Sequence, residues 1–215
     1  MEGTGTIFRV FAVMEWIMRF AYIQFLWFVF VLLGLGILGL FPATNAMFAI
    51  TRKWLSGEQD TPIFSFMWRS YCNEFMKCNV FIYSLLIQGG ILFFYLRFFQ
   101  MKDGSLYTIL AFVLFIMFFL YGIGLMVALP VYVHYQLSIV SFYKTILYIL
   151  FCFPFHMITI GVLLVSFYCV MSWIPGLLPF LSFSLLAFAV MWVMNLVFLK
   201  IDSKGVISME GRAVE

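Results

Sequence analysis

The chain has 215 residues, 66% hydrophobic and 10% charged, with a formal net charge of +3. Soluble domains carry roughly 25% charged residues, so this composition excludes a water-facing globular surface of this size. The small net charge bears on orientation in a membrane and gives no reason to expect nucleic acid as a partner.

Taken in order, residues 1–19 read as an amphipathic lead-in. Ile7, Phe8, Val10, Phe11 and Met14 supply its apolar side, Arg9, Glu15 and Arg19 interrupt it, and Trp16 marks an interface. No small-residue cleavage site follows a compact apolar core, so the segment does not read as a signal peptide. Residues 20–40 form the first span, with Gln24 as its one strongly polar side chain. About 20 apolar residues cross a bilayer core. Gly34, Gly36 and Gly39 near its end let another helix approach closely.

Residues 41–78 are the longest stretch that does not suit hydrocarbon. They predict two short amphipathic helices. Thr44 or Asn45 caps the first after Pro42, and it runs to about Leu55, with Gly57 as its stop. Glu58, Gln59 and Asp60 form a solvated turn, and Thr61-Pro62 opens the second helix as N-cap and first position. Its apolar face is Ile63, Phe64, Met67, Tyr71 and Phe75. Amphipathic helices carrying Trp and basic residues beside spans lie in the interface. Arg52, Lys53, Trp54, Glu58, Asp60 and Trp68 are the candidate partner-binding residues, because aromatic and Arg side chains in one patch anchor interfaces. Headgroup-level anchoring of Trp54 and Trp68 is the plainer alternative.

The run Gly39 to Trp54, then Gly57-Glu58, Asp60 to Phe64, Tyr71 and Glu74-Phe75, resembles the signature of the YesL family. So do Glu15 to Arg19 and Leu26-Trp27 upstream. Asn45, Ser70 and Cys72 depart from it. The family consists of small integral membrane proteins of Gram-positive bacteria, usually encoded beside carbohydrate importers and polysaccharide-degrading enzymes. The resemblance implies a membrane protein associated with carbohydrate import. It brings no catalytic residues with it.

Four more spans follow at 79–99, 106–133, 146–171 and 177–199, then a polar tail at 200–215. In the second span Gln88-Gly89-Gly90 lies near the midplane, where the amide must find a partner. In the fourth, Pro154 predicts a kink, and His156 is either an ionisable site or a neutral ring bonded to a freed carbonyl. Asn195 lies late in the fifth. Gln88, His156 and Asn195 are thus the candidate polar membrane site. His134 reads as an interfacial hydrogen-bonding group. Cys72, Cys78, Cys152 and Cys169 have neither zinc nor redox spacing, and no catalytic, cofactor or metal motif is present.

The expected fold is one all-α membrane domain over 1–215, with five transmembrane helices and an amphipathic pair between the first two. An odd span count puts the termini on opposite sides. Lys and Arg counts then place 41–78 and the C-terminus in the cytoplasm and the N-terminus outside. Two functions fit. One is a non-catalytic partner, accessory to a carbohydrate ABC importer or another membrane protein, docking through 41–78. The other is a small transporter whose path is lined by Gln88, His156 and Asn195. Convergence of those three on one cavity favours transport; separate pairwise bonds favour a packed scaffold. The bilayer itself is a partner on either reading.

Overall fold

A computed structural model describes residues 2–135, 139–174, 176 and 178–203. Among these residues all regular structure is helical: α1 Glu2–Leu33, α2 Ile37–Leu55, α3 Ile63–Gln100, α4 Ser105–Tyr135, α5 Ile139–Cys152, α6 Pro154–Trp173 and α7 Leu178–Asp202. Five of the helices, α1, α3, α4, α6 and α7, are long and apolar enough to cross a membrane. The protein is an all-α membrane protein. Most of tail 200–215 lies outside the described residues.

The first expected span is shorter than 20–40, because the chain turns back inside it. The Leu35 N–H donates to Leu32 O (3.0 Å) and the Gly36 N–H to Val31 O (2.8 Å). This is the paired-bond helix ending that needs one left-handed residue. That residue is Leu35, at φ 57°, followed by Gly36 at φ 77°. A leucine there costs about 1–2 kcal/mol. The glycines explain the tightness of the turn: a Cβ on Gly34 would lie 2.2 Å from Gly39 Cα, and one on Gly39 2.6 Å from Val31 O. The close approach expected of these glycines is therefore between α1 and α2 themselves.

α2 returns antiparallel along α1. Trp27 Nε1 donates to Thr44 Oγ1 (3.0 Å) midway, and Trp16 meets Trp54 edge to face with ring centroids 5.5 Å apart at the far end. This corrects the expectation of a helix lying in the interface. α2 is the centre of the bundle, packed by α1, α3, α4 and α7, with Ala43, Ala46, Met47 and Ile50 fully buried. Its start also moves forward, from a cap at Thr44 or Asn45 to Ile37, so that Pro42 lies inside the helix. A proline there removes the N–H that would bond Leu38 O. Asn79 Nδ2 of α3 donates to that carbonyl instead, at 2.9 Å. Apolar surroundings tolerate a helical proline when a neighbour satisfies the freed group in this way.

α2 ends as expected at Gly57 (φ 93°), where the Gly57 and Glu58 N–H groups donate to Trp54 O and Lys53 O. The second amphipathic helix and the second span are one continuous helix, α3. At 38 residues it is about 57 Å long, against roughly 30 Å for a bilayer core. No Pro or Gly lies between Tyr71 and Phe81 to break it. Pro62, with Thr61 just outside, is its N-cap, and Thr61 Oγ1 turns back to donate to Glu58 O. α4 returns antiparallel to α3, from Phe99–Tyr107 near the turn to Phe81–Tyr132 at the other end.

The fourth expected span is divided. Phe153 (φ −128°, ψ 48°) separates α5 from α6, with Pro154 at the start of α6, where its missing N–H costs nothing. α5, at 14 residues, is about 21 Å long and short of a crossing. α7 closes the bundle against α1, α2 and α6. Trp27 stacks on Phe183 at 4.5 Å, and the Ser184 N–H donates to Gln24 Oε1 at 2.9 Å. The polar residue of the first span is therefore used to fix α7.

Candidate functional site

Charge is gathered at one end of the bundle. Arg19 donates through Nη1 to Gln59 O (2.9 Å) and through Nη2 to Glu15 (2.6 Å). Lys53 pairs with Glu58 and lies over the Phe66 ring. Arg52 Nη1 donates to Val133 O near the end of α4 (2.8 Å), a carbonyl that a helix terminus leaves without an internal partner. Tyr132 donates to Glu74 Oε2 (2.9 Å), and Lys77 stands 3.9 Å from the other oxygen. His134 faces Asp202 at 3.7 Å, and Tyr135 donates to the same carboxylate at 3.0 Å. Lys200 Nζ lies 3.3 Å from His156 Nε2.

The turn at Gly34–Gly36 is what brings Arg19 and Gln59 together. It overturns the division of Lys and Arg between two faces of the membrane, since residues 15–19 and the 56–62 turn share one end. A straight first span would have separated them by the whole bilayer.

Between α2, α3 and the end of α4 lies an open polar cavity of about 330 Å³, walled by Arg52, Lys53, Glu58, Arg69, Asn73 and Glu74. Four consecutive turns of α3 place Phe66, Arg69–Ser70, Asn73–Glu74 and Lys77 along this side. Three of the candidate partner-binding residues, Arg52, Lys53 and Glu58, thus share one cavity. Asp60 is exposed in the turn beside it. The two tryptophans separate. Trp68 is 42% exposed, stacked parallel to Phe64 and beside Phe30. Trp54 is buried, edge-on to Trp16 and Phe20. As a surface anchor Trp54 is corrected: with α2 folded back on α1, it faces the core.

The candidate polar membrane residues do not meet. Gln88 accepts from Tyr143 of α5 (2.8 Å) on the wall of an otherwise apolar crevice of about 490 Å³. His156 stands in the first turn of α6, level with Lys200 at the end of α7, and so belongs to the charged end. Asn195 is half-buried on α7 and lines neither that crevice nor the polar cavity. The cysteines are unpaired, and among the described residues no group of three His, Cys, Asp or Glu side chains is placed to hold a metal.

The sequence reading missed the bonds Tyr132–Glu74, Arg52–Val133 and His134–Asp202. They join residues 58, 81 and 68 positions apart, beyond the reach of helical periodicity. The only local signal was a Tyr-rich, His-bearing end to α4.

Residues 20–96 match the family model described as "Protein of unknown function, DUF624". The chain is 34% identical to Bacillus subtilis "Uncharacterized protein YteU" over 95% of its own length and 92% of the relative's. It is 33% identical to "Uncharacterized protein YesV" of the same organism over 80% and 82%, and 40% identical to "Uncharacterized protein YesL" over 37% of each. No solved structure matches. With 34% identity to YteU over nearly the full length of both chains, and with the matched stretch covering α2, the 56–62 turn and nearly all of α3, the chain belongs to the DUF624 family of YteU- and YesL-like proteins.

Proposed function

We propose that this protein is a non-catalytic membrane partner that assists or regulates another membrane protein of the cell membrane. The class of that partner, a carbohydrate importer, comes from the family resemblance alone. One observation carries the choice of an accessory role over transport. Gln88, His156 and Asn195 have separate surroundings, and the first two bond one neighbour each. A transport path needs polar groups converging on a shared midplane site, whereas single bonds between neighbouring helices serve packing. No residue is given a catalytic role.

The docking element in this reading is the exposed part of 41–78, the Glu58–Asp60 turn and Trp68. The bundle end that carries this turn also carries Arg19, Arg52, Lys53, Arg69, Lys77 and Lys200, against Arg97 and Lys102 at the α3–α4 turn. The positive-inside rule assigns the first group to the cytoplasm. The start of α1 then faces the cytoplasm with segment 41–78 and the C-terminus.

The test is affinity purification of the full chain in mild detergent, comparing wild type with an Asp60→Lys/Trp68→Ala double variant. Both positions are exposed, so insertion and yield are unchanged. Loss of a co-purifying membrane protein is expected; its undiminished recovery from the variant would overturn the docking role.

A further inference from the structure

The polar cavity has a charge imbalance that its own residues do not resolve. Five ionised groups wall it: Arg52, Lys53, Arg69, Glu58 and Glu74. Both acids are already engaged. Glu58 pairs with Lys53, and Glu74 accepts from Tyr132 with Lys77 beside it. Among the described residues neither Arg52 nor Arg69 has a carboxylate within ion-pair distance. Arg52 spends one nitrogen on Val133 O, which fixes its position and leaves the rest of its fork uncommitted. Three basic groups against two acidic ones leave the cavity with a net charge of +1, and its two guanidinium groups have no ion-pair partner.

The remaining wall suits an oxyanion. The last carbonyls of α2, which would repel one, are taken: Arg52 O, Lys53 O and Trp54 O accept from the Ser56, Glu58 and Gly57 N–H groups. Ser70 and Asn73, also on the wall, supply uncharged donors. Planar guanidinium forks match the oxygen spacing of phosphate better than a point charge does. The volume, about 330 Å³, lies at the small end of the roughly 300–1,000 Å³ of ligand pockets. Just above the cavity, the 19 residues of α3 from Cys78 to Leu96 carry no charge. That is about 28 Å of helix, comparable with the depth of a bilayer core.

We propose that this cavity is a binding site for a phosphate group, held between Arg52 and Arg69. The phosphate belongs either to an anionic phospholipid headgroup or to a small soluble phosphate. Basic pockets between membrane helices are known to take phospholipid headgroups. The inference stands apart from the partner reading, because its variants leave Asp60 and Trp68 untouched.

The test uses the full chain purified in neutral detergent, with native mass spectrometry for retained lipid and thermal unfolding as readouts. The probes are phosphatidylglycerol, a fatty acid as a phosphate-free anionic lipid, inorganic phosphate and glycerol phosphate. Arg69→Gln removes an exposed side chain that holds no other element, so the fold survives. Arg52→Gln is the second variant, and Lys102→Gln, at the opposite end, is the control. Retention of phosphatidylglycerol, weakened about tenfold by loss of a charge-assisted hydrogen bond in Arg69→Gln and unchanged in Lys102→Gln, is the expected result. The same variant pattern with inorganic phosphate or glycerol phosphate, and none with phosphatidylglycerol, would assign the soluble source. Equal retention of the fatty acid, equal binding by both Arg variants and wild type, or no response to any probe would each overturn the site.

Discussion

The inner and outer parts of this bundle are made from similar amino acids and held by different forces. The inner part, α1, α2 and α7 with the first half of α3, is crossed by specific polar bonds. Trp27 joins Thr44, Gln24 joins the backbone of α7, Tyr71 donates to Phe30 O at 3.0 Å, and Asn79 serves the carbonyl that Pro42 frees. In the outer part, residues 86–119 of the α3–α4 hairpin, only Leu96 and Ala111 are buried. Its helices meet through rings such as Phe93 and Phe118, 5.9 Å apart. Lipid is as apolar as leucine, so apolar side chains alone do not tell one helix which neighbour to choose. Pairing here is specified by glycine contacts and a few buried hydrogen bonds, while the outer hairpin presents a surface for lipid.

The largest effect separating the two parts should come from their glycines. Gly39→Leu forces a side chain into the backbone of α1, whereas a Cβ on Gly90 meets nothing within 4 Å, so Gly90→Leu enters open space. We expect the first to abolish a folded, monodisperse protein in detergent and the second to leave the melting temperature within error. Size-exclusion profiles and thermal unfolding of the two variants check this. Equal tolerance of both would remove the basis of the comparison.

A smaller contrast lies in the amides. Asn79→Leu leaves the part-buried Leu38 O, already without the Pro42 N–H, lacking any donor, which costs about 1–3 kcal/mol. Gln88→Leu removes a bond between exposed groups and should cost well under ~1 kcal/mol. Reversible unfolding in mixed detergent measures the difference, and a reversed order would show that the outer bond, not the inner one, fixes the packing.

These two contrasts also mark where the sequence was legible. Composition, Pro and Gly signals and span length yield the helical class, the five apolar helices, the stop at Gly57 and the break before Pro154. They do not reveal that Leu35 adopts a left-handed conformation, because leucine carries no signal for it. Without that turn, residues 20–40 read as one crossing, Trp54 reads as exposed, and Arg19 falls on the wrong side. The cavity is half legible: Arg52, Lys53 and Glu58 stand out in a polar stretch. Arg69 and Glu74 share the polar side of the second predicted helix, but that this side faces α2, and that Val133 closes the cavity, depends on tertiary packing.

The smallest effect sharpens the same point. Leu35→Gly relieves a strained φ and should stabilise the hairpin by about 1 kcal/mol, offset in part by the greater freedom of glycine in the unfolded chain. An increase in unfolding midpoint supports the turn. A loss as large as the expected gain would mean that Leu35 contributes more by contact than it costs in strain.

The central claim is that α1 and α2 form a closed hairpin, bringing the start of the first span and the 56–62 turn to one end. Spin labels at Met18 and Gln59, both exposed, in a background lacking the native cysteines, test it in lipid nanodiscs by pulsed electron–electron distance measurement. The account predicts a single population well short of the ~30 Å thickness of a bilayer core, in keeping with the 2.9 Å bond between Arg19 and Gln59. A population at ~30 Å or beyond would place the two segments on opposite faces and contradict it.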